Sequence, residues 1–209
     1  VMKDLPIFPC ADGLASLILC EIPYRGEAYI LVRTVYGSLA GLVRQCVNFC
    51  EDAGAKHIYV SGEGDFSAFP VYTRLLDRSI ETVLLPPTEV RAEPTGSDDW
   101  VALYNERFRS VPCAKTYRET PENACLVYDG ETRIGLGLCI EDELAAVASL
   151  EHGRGKDCVL GLAKQIKAPR IRLLCAEENT AAMRLYDRLG FSVDGVRRIW
   201  YHAATKDER

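Results

Sequence analysis

The chain has 209 residues, of which 48% are hydrophobic and 26% charged, with a formal net charge of −5 at pH 7. This composition is typical of a globular protein with a buried core, and the absence of any block of like charges argues against a nucleic-acid partner. The longest apolar run, residues 14–20, is far shorter than the roughly 18 residues of a membrane-spanning helix, and no signal-peptide pattern is found. We therefore expect a cytoplasmic protein without a membrane partner.

The nine cysteines form no CxxC pair, and only three histidines could complete a metal site. Most lie among apolar neighbours, where a reduced cysteine behaves as a small core side chain. We expect no metal centre.

The hydrophobic periodicity of the first half changes several times between helix and strand spacing. It predicts a helix within 5–24, a strand at 28–35, a helix at 40–53, a strand at 57–60, a helix at 69–79 and a strand at 82–85. The segment 86–97 is rich in Pro, Thr, Gly and Ser, which is typical of a linker. This segment predicts two domains, residues 1–86 and 87–209.

The second half predicts a more regular order of elements, with an Asp-Gly hairpin turn near its start. The predicted elements are a helix at 98–109, hairpin strands at 124–128 and 133–140, a strand at 143–150, a helix ending near 167, a strand at 171–176, a helix at 180–189 and a strand at 196–201. The predicted fold class is therefore α/β (α+β).

An internal repeat relates the two halves of the chain. A shift of 114 positions places residues 30–76 on 144–190 without a gap, with Gly41 on Gly155 and Tyr72 on Tyr186. Because the predicted elements also coincide, we interpret the first half as a smaller, related α/β half domain that has diverged from the second.

A glycine-containing loop in the second half is a candidate anion site. It follows the strand at 143–150 and precedes a helix, whose first N–H groups and dipole attract negative charge. Gly153 and Gly155 would let the backbone approach a phosphate, while Arg154 and Lys156 add positive charge. His152 in the same loop is interpreted as solvated. Alone, this loop is a weak motif.

The next strand leads into the sequence NTAAMRLYDRLGF. An Asn that opens a helix, an Ala and a Tyr four residues apart, and a closing Leu-Gly-Phe resemble the GNAT superfamily of N-acetyltransferases. The matching positions are Asn179, Ala182, Tyr186, Leu189, Gly190 and Phe191. The resemblance covers about residues 86–205 and implies a mixed central sheet of the acyl-CoA N-acyltransferase type, with acetyl-CoA as co-substrate.

The resemblance also implies roles for individual residues. Backbone groups of Ala148 and Leu150 would pair with the pantetheine arm of the cofactor, and Tyr186 would protonate the departing thiolate as a weak acid. The implied cofactor-binding set is Ala148, Ser149, Leu150, Arg154, Gly155, Lys156, Asp157, Cys158, Val159, Asn179, Ala182 and Tyr186. Tyr186 could instead be a core residue, and Asn179 could serve only as a helix cap.

Two positions depart from the family pattern. Asp157 and Val159 stand where the family prefers Gly and Gly or Ala, which places a negative charge and extra bulk beside the expected pyrophosphate. For the general base that takes the proton of the attacking amine, Glu143 is the first choice and Glu141 the second. Either carboxylate could also simply face solvent.

The first repeat lacks this chemistry, since Ala40 stands at the position of Arg154 and Asp65 at that of Asn179. We expect it to bind no nucleotide and to form one wall of a substrate cleft. The predicted function is acetyl transfer from acetyl-CoA to a primary amine of a small molecule or peptide. The alternative is a non-catalytic GNAT-fold ligand-binding or interaction protein with an impaired pyrophosphate loop. The sequence leaves open whether the protein forms a homodimer.

Overall fold

The structure is a computed structural model that describes residues 2–205, and for Thr205 only the backbone. Residue 1 of the first predicted domain and residues 206–209 of the second lie outside the described residues. The strands are β1 Leu5–Cys10, β2 Gly13–Ile18, β3 Glu27–Val35, β4 His57–Gly62, β5 Val71–Glu81, β6 Arg91–Pro94, β7 Ala124–Asp129, β8 Thr132–Ile140, β9 Glu143–Ser149, β10 Arg170–Ala176 and β11 Ser192–Thr205. The helices are α1 Ile22–Arg25, α2 Leu39–Asp52, α3 Asp98–Arg107, α4 Gly155–Ala163 and α5 Thr180–Leu189.

Contacts between Cα atoms divide the chain into two compact units. The first comprises Val1–Arg74 together with Arg198–Arg209, and the second comprises Leu75–Arg197. The predicted boundary at residue 86 therefore lies inside the second unit. The first unit takes the end of β11 from a distant part of the sequence, whereas the second is continuous and begins within β5.

In the first unit the strands lie in the order β1-β2-β3-β4-β11. β3 and β4 are parallel, and β11 runs antiparallel to β4 with Tyr201 opposite Val60. α2 begins at the cap Ser38, whose hydroxyl accepts a hydrogen bond from the N–H of Gly41. Its apolar face, which includes Leu42 and Cys46, forms the core of this unit with side chains from β2, β3 and β4.

In the second unit the strand order is β5-β10-β9-β8-β7-β6. Neighbouring strands are antiparallel except β9 and β10, which are parallel and connected through α4. α4 and α5 pack on the face to which Cys125 and Val127 of β7 point, whereas α3 packs on the face of Ala124 and Leu126. The sheet of this unit is therefore covered on both sides.

Close packing of α4 depends on two glycines in β8. A Cβ atom built on Gly137 would lie 2.3 Å from Cδ1 of Leu162, and one on Gly135 would lie 2.3 Å from Sγ of Cys158. Because neither glycine has a side chain, the helix lies directly on the strand, and its N-terminus is fixed relative to the end of β9.

The structure confirms most predicted elements of the second half, with shifts of a few residues at their ends. α3, α4, α5, the β7–β8 hairpin, β9 and β10 were all predicted, and so were β3, α2 and β4 in the first half. These segments carry strong periodicity and clear turn or cap residues.

Four predicted elements are wrong. The helix expected within 5–24 is the β1–β2 hairpin followed by one short helix, because the apolar run pairs with β3. The helix expected at 69–79 is β5, a strand whose charged residues resemble a helical face. The strand expected at 82–85 is a single 3-10 turn, and the linker at 86–97 contains β6, paired with β7.

Under the 114-residue shift three pairs of elements coincide and the fourth does not. Strand, helix and strand coincide, as β3–α2–β4 and β9–α4–β10. The next predicted pair, helix on helix, is wrong because β5 falls on α5. Beside each parallel pair lies a strand from the other half of the sequence. β11 lies next to β4, and β5 lies next to β10.

Candidate functional site

The parallel strands β9 and β10 are paired at one position. Arg172 lies opposite Glu143, and the N–H of Arg172 donates to the carbonyl of Asp142 at 2.9 Å. The guanidinium of Arg172 also donates to the Asp142 carboxylate at 2.7 Å, which lowers the pKa of that carboxyl group. Beyond this pair no further register pair joins the two strands among the described residues, so they separate toward their C-terminal ends.

A β-bulge in β9 lies next to the point of separation. Cys139 of β8 pairs with Leu144 and Leu138 pairs with Ala146, which leaves Ala145 without a partner. The extra residue changes the side-chain alternation, so that Leu144 packs on the α4 side and Ala146 on the α3 side of the sheet. Bulges bend a strand, and this one lies just beyond the pair of β9 with β10.

The separation leaves part of the β9 backbone unpaired. The N–H of Leu150 donates to the carbonyl of Ile134 at 2.8 Å, so Leu150 and, by strand alternation, Ala148 direct their polar groups toward β8. Consistent with this, a Cβ built on Gly135 would lie 2.8 Å from the carbonyl oxygen of Ala148. The backbone groups of Val147 and Ser149 therefore face β10. We call these groups the open edge of β9.

The assignment of the open edge differs from the one expected by family resemblance. That expectation gave the pantetheine contacts to backbone groups of Ala148 and Leu150. In the structure the Leu150 N–H is already bonded to β8, and its carbonyl accepts a hydrogen bond from Arg107 at 3.0 Å. Val147 was missed, although alternation from one fixed pair in β8 and β9 would have found it. Ser149 was in the predicted set and lies on the open edge.

The N-terminus of α4 follows the open edge after a five-residue loop. Its first intrahelical hydrogen bond runs from the N–H of Cys158 to the carbonyl of Arg154 at 3.0 Å. The N–H groups of Gly155, Lys156 and Asp157 precede it, and no side chain caps the helix. Three backbone donors and the helix dipole thus form an anion-binding surface at the end of β9.

Arg154 does not point its charge freely into this surface. Its Nε lies 2.5 Å from Oδ2 of Asp157 and its Nη2 lies 2.5 Å from Oδ2 of Asp129. Hydrogen bonds to Asp129 and then Asp157 raise the pKa of Arg154, which stays a cation. A phosphate that binds here would compete with three carboxylates for the same guanidinium, since Glu151 also lies 3.9 Å from Nη1, whereas Lys156 is exposed.

Cys158 and Val159 belong to the core rather than to the loop. Both are fully buried, and the thiol of Cys158 donates to the carbonyl of Ile134 at 3.6 Å. Burial, and next the charge of Asp157, raises the pKa of the Cys158 thiol to about 12. The side chain of Val159 therefore adds no bulk beside an anion at the helix N-terminus, and only the backbone of these residues faces that direction.

α5 brings Asn179 and Tyr186 to the same face of the sheet as α4. The side-chain oxygen of Asn179 accepts a hydrogen bond from the N–H of Ala182 at 3.2 Å, which makes it the helix cap. Gly190 ends the helix in the left-handed conformation, and Phe191 enters the core. The capping interpretation of Asn179 is confirmed, and it leaves the amide nitrogen of the side chain for other contacts.

Tyr186 is 8% exposed and packs beside Phe191, with ring centroids 5.5 Å apart. Burial raises the pKa of the phenol above its ordinary value, the neighbouring Cys175 raises it further, and the positive charge of Arg78 lowers it. The phenol is therefore protonated and only weakly acidic.

The two candidate bases lie apart. Glu143 is half-buried at the paired end of β9, and six residues of extended strand, roughly 20 Å, separate it from Ser149. Glu141 is exposed in the β8–β9 turn and lines a pocket of about 360 Å³ with Cys125, Cys139 and Lys167. Glu141 thus faces the β6–β8 edge, which makes Glu143 the better placed of the two.

The described residues contain no group of three or more His, Cys, Asp or Glu side chains that could hold a metal ion. Over the same range, the helices are all too short or too polar to cross a membrane.

Comparison with solved structures identifies the fold. A conserved protein of unknown function from Staphylococcus epidermidis matches with a TM-score of 0.59 and 13% identity, covering 93% of this chain and 92% of that one. A GCN5-related N-acetyltransferase from Kribbella flavida matches with a TM-score of 0.58 and 15% identity, over 94% and 89% of the two chains. Another GCN5-related N-acetyltransferase, from Sphaerobacter thermophilus, matches with a TM-score of 0.52 and 17% identity, over 93% of this chain and 78% of that one. The chain therefore shares the fold of GCN5-related N-acetyltransferases.

No protein-family model matches the sequence, and no curated protein matches it.

Proposed function

We propose that this protein is an acyl-CoA-dependent N-acyltransferase that transfers an acetyl group from acetyl-CoA to a primary amine. The observation that carries the proposal is the open edge of β9, which ends at the unpaired N–H groups of α4. An extended chain of amides can pair with an unpaired strand, and a pyrophosphate fits a helix N-terminus. Pantetheine and pyrophosphate are joined in this order in coenzyme A, so the chemistry of the groups fits.

The chain's own residues have distinct roles in this proposal. The N–H and carbonyl groups of Val147 and Ser149 bind the amides of the arm, and the N–H groups of Gly155, Lys156 and Asp157 hold the pyrophosphate. When bound, acetyl-CoA supplies an acyl group activated as a thioester. Glu143 takes the proton of the incoming amine, and the buried phenol of Tyr186 gives a proton to the leaving sulfur.

Both proposed proton-transfer groups lie beside β10. Tyr186 belongs to the same core cluster as Cys175 of β10, and Glu143 pairs with Arg172 three residues earlier on the same strand. The Cα atoms of residues 172 and 175 are about 10 Å apart along an extended strand.

The experiment is calorimetric titration of the full chain with acetyl-CoA, followed by product detection by mass spectrometry with a panel of primary amines. We expect binding, with acetylated product from at least one amine. Lys156→Ala should weaken binding about threefold because it removes an exposed charge beside the phosphates, whereas Lys167→Ala, beyond the other end of α4, should not. Absence of binding at a cofactor concentration of about 1 mM would overturn the proposal.

A second candidate, a non-catalytic ligand-binding protein of the same fold, rests on the ion pairs of Arg154 with Asp129 and Asp157. These carboxylates compete with a phosphate for the guanidinium. Cofactor binding without turnover on any amine would favour this candidate over the enzyme.

A further inference from the structure

Arg78 is a buried charge that the proposed mechanism does not use. It lies on β5 opposite Leu173 of β10 and is 2% exposed. Removing a guanidinium from water costs several kcal/mol unless hydrogen bonds replace the lost hydration. A buried arginine at this position therefore requires specific partners.

Within the described residues, the hydrogen-bond partners of the Arg78 guanidinium lie on or directly after α5. Nη2 donates to the carbonyl of Phe191 at 2.7 Å and contacts the carboxylate of Asp187, and Nη1 lies 3.4 Å from the carbonyl of Met183. Nη1 also approaches the sulfur of Met183 at 3.6 Å. These residues bracket Tyr186, with Met183 one turn before it, Asp187 directly after it and Phe191 just beyond the helix.

The same guanidinium acts on Tyr186 electrostatically. The titratable and charged groups that act on the phenol are Arg78 on β5 and Cys175 on β10, while Asp187 on α5 acts on Cys175. Arg78 lowers the pKa of the Tyr186 phenol against the larger effect of burial, and it lowers that of Cys175 as well. A fixed cation beside a phenol favours the phenolate that remains when the proton leaves.

The Nε of Arg78 is fully buried and has no hydrogen-bond partner among the described residues. An unsatisfied buried donor costs free energy, so an apolar side chain in place of Arg78 would be more favourable for the free energy of folding alone. The retained charge is consistent with a role in the chemistry on α5 rather than in stability alone.

We propose that Arg78 is the positioning residue for Tyr186, holding the last turn of α5 in place and keeping a positive charge beside the phenol during proton transfer. This inference rests on the proposed function. In the step concerned, the carbon–sulfur bond of the thioester breaks with its electron pair on sulfur, and the Tyr186 proton moves to that sulfur. The acceptor nitrogen forms the new bond to carbon and gives its proton to Glu143, which passes it to solvent, and the phenol takes a proton back from solvent.

The test compares Arg78→Met, Arg78→Lys and Asp187→Asn with the wild type in steady-state kinetics. Arg78→Met should lower kcat about 30-fold while the KM for acetyl-CoA changes less than about threefold, because the arginine touches neither the open edge nor the α4 N-terminus. Arg78→Lys should recover part of kcat through its charge. Asp187→Asn should have a small effect, since Asp187 is largely exposed.

A second measurement does not depend on turnover. Amide hydrogen exchange of the unliganded variants should show faster exchange in residues 183–191 for Arg78→Met, with α4 unchanged. Suppose the wild type is active, and Arg78→Met keeps its kcat or loses kcat and acetyl-CoA affinity in parallel. Either result would overturn the role of Arg78 and leave the proposed function standing. A wild type without any turnover would overturn the proposed function and, with it, this role.

Discussion

The two parallel strand pairs of this chain are each connected through one helix, but they differ in the number of positions over which the strands stay paired. In the first unit β3 and β4 stay paired over six positions, from Glu27 opposite His57 to Val32 opposite Gly62. In the second unit β9 and β10 are paired at one position before they separate. The same strand–helix–strand order can therefore produce either a closed sheet or an open edge that can accept a ligand.

Gly62 explains why the first pair can stay closed to its end. It has a φ of 119°, and a Cβ built on it would lie 2.1 Å from the carbonyl oxygen of Val32. The N–H of the next residue, Glu63, donates to that same oxygen at 3.1 Å. Under the 114-residue shift Gly62 corresponds to Ala176 of β10. An alanine could not make this backbone approach without displacing Val32.

The largest expected effect separates the two units by their tyrosines. Tyr186→Phe should lower kcat for acetyl transfer about 100-fold with little change in acetyl-CoA affinity, because it removes the proton donor and keeps the ring. Tyr72→Phe, the change at the matching position under the 114-residue shift, should leave kcat nearly unchanged, since Tyr72 stacks on Tyr59 in a strand. Steady-state kinetics and calorimetry measure both. Loss of binding in Tyr186→Phe would assign the tyrosine a structural role.

The next effect tests the closed pair. Gly62→Ala should destabilise the protein by about 2 kcal/mol, because a side chain at this positive φ would clash with the backbone of Val32. Urea unfolding followed by circular dichroism measures the change. Gly195→Ala is the matched control, since nothing lies within 4 Å of a Cβ there, and it should shift stability by less than about 0.5 kcal/mol. Equal stability of the two variants would contradict the explanation of the closed pair.

The smallest effect concerns the charge at the open site. Asp157→Asn should tighten acetyl-CoA binding about threefold at low salt, because it removes a negative charge from the α4 N-terminus and one of the carboxylates that hold Arg154. The gain should shrink as salt is added. Glu89→Gln, the same charge change near the other end of α4, should have no effect. Weaker binding in Asp157→Asn would mean that Asp157 positions Arg154 instead of competing with the phosphate.

Local sequence signals predicted a large part of this site. Asn179 caps a helix that Gly190 ends, and both positions carry residues with a strong intrinsic preference for those backbone conformations. The loop before α4 was likewise predicted, from its glycines and from the helix that follows. The helix predicted at 69–79 is wrong because the segment forms a strand paired with β10, on which Arg78 is buried against α5.

By itself the sequence determined the order of the helices of the second half and the ends of α5, and it indicated the family that Asn179 to Phe191 resembles. Only the tertiary structure decided which backbone groups of β9 are unpaired, because a strand's free edge depends on its neighbours and on a one-residue bulge at Ala145. It also decided that β5, from the first half of the chain, lies beside β10 and brings Arg78 to Tyr186. Strand partners are long-range choices, and local periodicity carries no record of them.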